Sequence, residues 1–169
     1  MIKKLLGLGV CLVVSLMVIS GTANALIGVG VLAANYGTAG GNITGYGLEI
    51  EAPFIPIPLL NTRIEAVMTS GSNGLGTYTV TPILLKGSYK FPLTPIYVGG
   101  GVGTALFSQA GYSVPSPMIY EVFIGYEQNI APLSSVFVQV GSENMQFSYA
   151  GIEQNFSGTC FKGGVRFGL

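Results

Sequence analysis

Paired carboxylates are the first chemistry this sequence offers. Glu49 and Glu51 stand two residues apart, and Glu121 and Glu127 fall on one later stretch. Two neighbouring carboxyls can divide acid and base work between them. The usual companions are missing, since the 169 residues include no His and every acidic residue is Glu. A Ser-His-Asp triad, a His-based lipase pair and a His-rich metal site are therefore excluded. A loop-borne catalytic site would have to draw on Glu143, Ser148 and Tyr149, and no constellation supports one. Cys160, alone once Cys11 is set aside with the N-terminal segment, reads as a small packing residue. The Gly99–Gly103 run lacks the third glycine of a dinucleotide fingerprint and the strand–turn–helix context. Asn42-Ile43-Thr44 and Asn155-Phe156-Ser157 match only the short glycosylation pattern. The plainer reading of the carboxylates is electrostatic. Arg63, Lys162 and Arg166 offset Glu49, Glu51, Glu65, Glu121 and Glu127 in an interior that penalises unpaired charge.

The elements that must position these charges begin with a segment outside the fold. Lys3 and Lys4 precede an apolar run from Leu5 to Ile19, and Ala23-Asn24-Ala25 follows. That is the layout of a secretory signal peptide, with cleavage expected between Ala25 and Leu26. Residues 1–25 are thus predicted to be removed and 26–169 to form one domain. Five cations then face seven Glu. Only 8% of the chain is charged and 49% is hydrophobic, against about 25% charged in a soluble domain. The balanced charge leaves no basic face for nucleic acid.

Dense β-branched residues punctuated by Gly, Pro, Asn and Ser predict eight strands, about 26–35, 43–52, 62–70, 77–89, 96–107, 118–127, 133–143 and 157–169. Connections 36–42, 71–76, 108–117 and 144–156 are rich in Gly, Ser and Asn, whereas the alternate ones carry proline, from Pro53 to Pro132. Along the strands one face is apolar, as in Tyr120, Val122, Ile124 and Tyr126 or Val136, Val138 and Val140. The other joins Gly to nearly all the charge, including Gln139, Glu143, Lys162 and Arg166. So little charge suits no water-facing exterior, whereas an apolar exterior around a polar lumen is the pattern of a membrane barrel. Two aromatic belts are expected: Tyr36, Tyr46, Tyr78, Tyr120 and Phe161 at one end, and Tyr89, Phe91, Tyr97, Tyr126 and Phe167 at the other. Tyr97 shares parity with the Gly99/Gly101/Gly103 face. Lys86 shares parity with Leu84, so it is expected near the membrane interface or after a bulge at Pro82. Phe123 and Phe137 sit on the polar face, where they fill the space that glycines leave open.

With its leader, its eight alternating strands, the Tyr97-Val98-Gly99-Gly100-Gly101-Val102-Gly103 stretch and the terminal strand Phe161–Leu169, the chain resembles the small, porin-like outer-membrane β-barrels of Gram-negative-type bacteria. The resemblance implies an all-β, eight-stranded antiparallel up-and-down transmembrane β-barrel, with the termini in the periplasm and the Gly/Ser/Asn connections outside. It implies outer-membrane lipid as surroundings and the barrel-assembly machinery as a transient partner. That machinery reads a terminal strand closed by an aromatic residue; here the strand carries Phe161, Val165 and Phe167 but ends at Leu169. Known barrel enzymes of this size resemble acyltransferases, deacylases and proteases that rely on residues missing here. The expectation is a non-enzymatic barrel without cofactor or metal, with a lumen its own side chains fill and a surface partner the sequence does not name. A narrow channel for small solutes and a soluble periplasmic ligand-binding barrel are the alternatives.

Overall fold

Period-two alternation builds one closed sheet. The computed structural model describes residues 27–38, 41–52, 60–73, 76–109, 116–149, 152–155 and 157–168. The expected cleavage point at Ala25 and Leu26, the segment 53–59 and Leu169 lie outside them. The strands are β1 (Gly28–Thr38), β2 (Gly41–Glu51), β3 (Leu60–Asn73), β4 (Gly76–Lys90), β5 (Ile96–Gln109), β6 (Met118–Ala131), β7 (Ser134–Tyr149), β8 (Ile152–Asn155) and β9 (Gly158–Gly168). Every pairing is antiparallel, each strand from β1 to β7 with the next, and β9 closes the ring against both β7 and β1. β8 pairs with the upper part of β7, so β8 and β9 are successive lengths of one barrel wall. This is the eight-stranded up-and-down barrel the alternation predicts.

The register fixes the tilt. The pairing path from Gly28 runs through Glu51, Arg63, Lys86, Gly101, Glu121, Glu143 and Gly158 and returns to β1 at Thr38, ten residues along. Eight strands with that stagger tilt by about 40° and leave an interior that side chains fill. The same path threads five of the charged residues, Glu51, Arg63, Lys86, Glu121 and Glu143, so closure itself assembles the lumen charges.

The outside is apolar. Tyr46 is 79% exposed, Val138 61% and Phe161 56%, among a continuous surface of Leu48, Met68, Leu85, Val122 and Ile124. An apolar exterior around buried Glu, Lys and Arg is the reverse of a soluble barrel and the pattern of a transmembrane one. That order of polarity removes the water-soluble alternative.

Several details differ from the sequence-based expectation. Strands run through most of 36–42, 71–76 and 144–156, leaving only 39–40, 74–75 and 150–151 between paired strands at that end. Backbone pairing needs no apolar side chain, so Gly, Ser and Asn continue the ladder beyond the apolar band. Tyr36, Tyr78 and Tyr97 are buried in the lumen, while Tyr46, Tyr120, Tyr89 and Tyr126 remain exposed. Lys86 is also inside, not at the interface, and so is Leu84. Pro82 interrupts the β3–β4 ladder between the pairs Ala66↔Ile83 and Thr69↔Val80, which span equal lengths on both strands. A missing N–H costs a rung there but inserts no residue, so parity holds through Tyr78, Val80, Leu84, Lys86 and Ser88.

Candidate functional site

The lumen is the one place where the described residues gather chemistry. It is organised in two tiers. Towards the proline-bearing connections, the turn end, β9 contributes Arg166, whose Nε donates to Glu49 on β2, whose Nη2 lies 3.4 Å from the same carboxylate, and whose Nη1 lies 2.9 Å from Glu127. That last contact is an ion pair too poorly aligned to be a hydrogen bond. Glu51 is 4.0 Å from Arg166 Nε. Arg63 donates to Ser88 Oγ at 2.6 Å and approaches Glu49 at 3.8 Å. Aromatic rings complete this arginine tier: Phe137 lies 3.8 Å from Arg166 and Tyr97 5.3 Å from Arg63, measured to the ring centroids. Stacking a guanidinium on a ring lets it keep favourable contacts on the faces that donate no hydrogen bonds.

Towards the hairpin end stands a lysine tier. Lys162 Nζ is 2.7 Å from Glu65 and 3.0 Å from Glu121, and Lys86 Nζ is 2.9 Å and 3.0 Å from the same two carboxylates. Gln139 Nε2 donates to Glu121 at 2.8 Å. The Cys160 thiol donates to Glu121 at 3.4 Å. Glu143 completes the tier, 3.7 Å from Lys162. The Phe123 ring divides the tiers, 4.4 Å from Lys86 Nζ on one side and 5.8 Å from the Arg63 guanidinium on the other. Compact ammoniums shared between carboxylates and planar guanidiniums laid on rings are the two ways this chain neutralises buried acid.

Glycines make room for these rings. A Cβ on Gly99 would come within 2.5 Å of Phe123 Cζ, and one on Gly125 would come closer still to Tyr97 Cζ. Both positions need hydrogen as a side chain because a ring crosses the lumen over them. Beyond the lysine tier, Tyr78, Val80, Leu84, Ala105, Ile119 and Met145 form a buried apolar cluster. This cluster roofs the charged layers on the hairpin side.

Every residue of the sequence-predicted polar set stands in these tiers. Glu49, Glu51, Arg63, Glu127 and Arg166 meet in one, and Glu65, Glu121, Gln139, Glu143 and Lys162 in the other. Phe161, Val165 and Phe167 face outward from β9, with Val165 less exposed than the two rings, while Leu169 lies outside the described residues. Ser148 and Tyr149 lie on β7, and their side chains lie outside the described set. Asn155 is occupied locally, its Oδ1 accepting the Ser157 N–H at 2.8 Å. Sequence reasoning missed Lys86, Tyr36 and Tyr78 as members of the lumen, and kept Tyr97 in a belt although its parity matches the Gly99/Gly101/Gly103 face. The available signal was unbroken parity from Tyr78 to Ser88, obscured by treating Leu84 as lipid-facing.

No protein-family model matches the chain, and a search of curated proteins finds no match. Solved structures do match in shape. The crystal structure of surface protein A of Neisseria shares 16% identity over 87% of this chain and 98% of its own, with a TM-score of 0.59. The outer membrane protein OprG from Pseudomonas aeruginosa shares 10% over 87% and 96%, with a TM-score of 0.54. A de novo designed transmembrane β-barrel shares 9% over 85% and 95%, with a TM-score of 0.50. A design matches almost as well as natural proteins, so the likeness is one of architecture. The chain has the fold of the small bacterial outer-membrane β-barrels.

Proposed function

We propose that this chain is a non-enzymatic integral barrel of the bacterial outer membrane, anchoring its polar hairpin end outside the cell and conducting no continuous water column. The observation that carries this reading is the layered filling of the lumen. An apolar roof, a lysine tier, the Phe123 ring and an arginine tier follow one another between the hairpins and the turns. Water crossing such a stack would have to separate ion pairs buried to a few per cent exposure, at a cost of several kcal/mol per charge. Lipid is then the standing partner of the apolar exterior, and the barrel-assembly machinery the transient one. Gly28 and Gly168, paired at the turn end, would face the periplasm.

The hairpin end carries the contact surface in this reading. From the sequence, 36–42, 70–79, 106–117 and 144–157 contain no Lys or Arg and only Glu153 among acids. A surface of Ser, Thr, Asn, Gln, Gly and Tyr suits neutral polar partners better than polyanions, which require cationic clusters. Planar-bilayer recording of the purified protein tests the closed lumen. The expected result is no steady single-channel current. Stable conductance abolished by Gly101→Leu, which places bulk against the Lys86 stem, would make the lumen open and solute passage the function. Partition into outer-membrane fractions with heat-dependent gel mobility is the expected companion result.

A further inference from the structure

The two lumen tiers hold the same charge imbalance and resolve it differently. Each sets three carboxylates against two cations. In the arginine tier the surplus reaches solvent, because the Glu51 and Glu127 side chains are 25% and 14% exposed. In the lysine tier it cannot. Glu143 is 2% exposed, and neither of its oxygens has a hydrogen-bond partner. Lys162, the only cation within 4 Å of it among the described residues, stays 3.7 Å away, engaged with Glu65 and Glu121 at 2.7 Å and 3.0 Å. A buried carboxylate stripped of donors is costly to maintain.

The bare oxygens are not isolated. A carboxylate oxygen of Glu143, one of Glu121 and the Sγ of Cys160 all lie within 4.8 Å of one another. Strand register sets this meeting: Glu121 pairs with Glu143 across β6–β7, and Glu143 pairs with Gly158 across β7–β9, two residues before Cys160. Gly141 stands opposite the fully buried Cys160, where a Cβ would come within 3.2 Å of Sγ, so no side chain on β7 comes between the thiol and its neighbours there. The hydroxyl of Tyr36, the cross-strand partner of Cys160, is a further buried polar atom with no hydrogen bond.

We propose that Cys160, Glu121 and Glu143 form a site for one thiophilic divalent cation of the zinc and cadmium class. One sulfur with carboxylate oxygens suits such an ion. Calcium and magnesium prefer six or more oxygens and would gain little here. Binding exchanges the thiol proton for the metal, forming a sulfur–metal bond and releasing one proton, with no change of oxidation state. The incoming positive charge supplies what Glu143 lacks. Lys86 stays on Oε2 of Glu121, while Oε1, which accepts from the Cys160 thiol, also accepts from Gln139 and Lys162, so the ion enters that oxygen's shell in place of the thiol proton. Nothing in this depends on whether the barrel conducts.

Titration of the full protein with Cd²⁺ alone tests the site. The expected result is one ion per chain, with a sulfur-to-cadmium charge-transfer band in the ultraviolet that Cys160→Ser removes. Glu143→Gln keeps the thiol and the shape of the side chain, and should weaken Cd²⁺ at least tenfold. No band, a band that survives Cys160→Ser, or equal affinity in Glu143→Gln would overturn the site, the last by reducing it to capture by a bare thiol. A second readout needs no variant: Zn²⁺ should raise the unfolding temperature of the unaltered protein and Mg²⁺ should not. Identical shifts with the two ions, or none with either, would also overturn it.

Discussion

A buried ion shared by two acids is worth most when one partner is taken away. Lys86 is fully buried and within 3.0 Å of both Glu65 and Glu121. Lys86→Met keeps the stem volume beside the Phe123 ring but leaves three buried carboxylates to Lys162 alone. Loss of one member of a buried pair costs about 3–5 kcal/mol, mostly from the charge left behind. The double variant Lys86→Met, Glu65→Gln removes one charge of each sign and should recover most of that loss. Urea unfolding in lipid vesicles measures both. Equal destabilisation by the single and the double variant would mean that packing of the lysine stem, not charge pairing, is what Lys86 contributes. The two arginines follow a different rule, because rings as well as carboxylates hold them, so their loss removes packing together with charge.

At the scale of the strand, adjacent residues meet opposite solvents. Val138 faces the lipid side, and Gln139 faces the lumen with its amide on Glu121. Val138→Lys should therefore block folding into bilayers, since a cation at mid-depth costs about 2–4 kcal/mol. Gln139→Lys should fold in higher yield, its ammonium entering a tier that already holds more acid than base. Equal yields, read from heat-dependent gel mobility, would contradict the facing of β7. This alternation was legible in the sequence because parity survives wherever no residue is inserted, and Glu121, Phe123, Phe137, Lys162 and Arg166 were all placed by it. Three things were not legible. Pro82 suggested a bulge, yet it costs only a rung, so Lys86 was displaced outward in the reading. Tyr36, Tyr78 and Tyr97 look like belt residues by type, which outweighed the parity that turns them inward, and their height within the lumen is set by closure with its ten-residue stagger. The division into arginine and lysine tiers depends on that stagger too, because it brings Glu49 to Arg166 across 117 residues of sequence.

For the whole molecule, the apolar band is thinner than the barrel is tall. It is narrow on β7, where it lies between Ser134 and Ser142, eight residue steps enclosing Val136, Val138 and Val140, while on the neighbouring β6 exposed apolar residues run from Met118 to Tyr126. At about 3.3 Å per residue and a tilt of about 40°, the β7 stretch is about 20 Å along the axis. Outer-membrane barrels usually carry about 25 Å. β7 then continues to Tyr149, so the hairpin end stands clear of the apolar band while the turn end stops close to it. Mismatch costs a fraction of a kcal/mol per Å, enough to bias folding between bilayers. Vesicles of didodecanoyl phosphatidylcholine should thus give a more stable barrel than vesicles with hexadecanoyl chains. Short chains ease insertion of barrels in general, so the decisive comparison is with a variant whose band is longer. Ser142 and Thr159 pair across β7–β9 with exposed side chains. Changing both to Leu adds a row of about 5 Å along the axis on that wall. The preference of this double variant for the thin bilayer should narrow relative to the unaltered protein, read as the difference in urea midpoint between the two lipids. An unchanged difference would mean that the row at Ser142 and Thr159 already lies within the hydrocarbon, and that the apolar band does not set the depth at which this barrel sits.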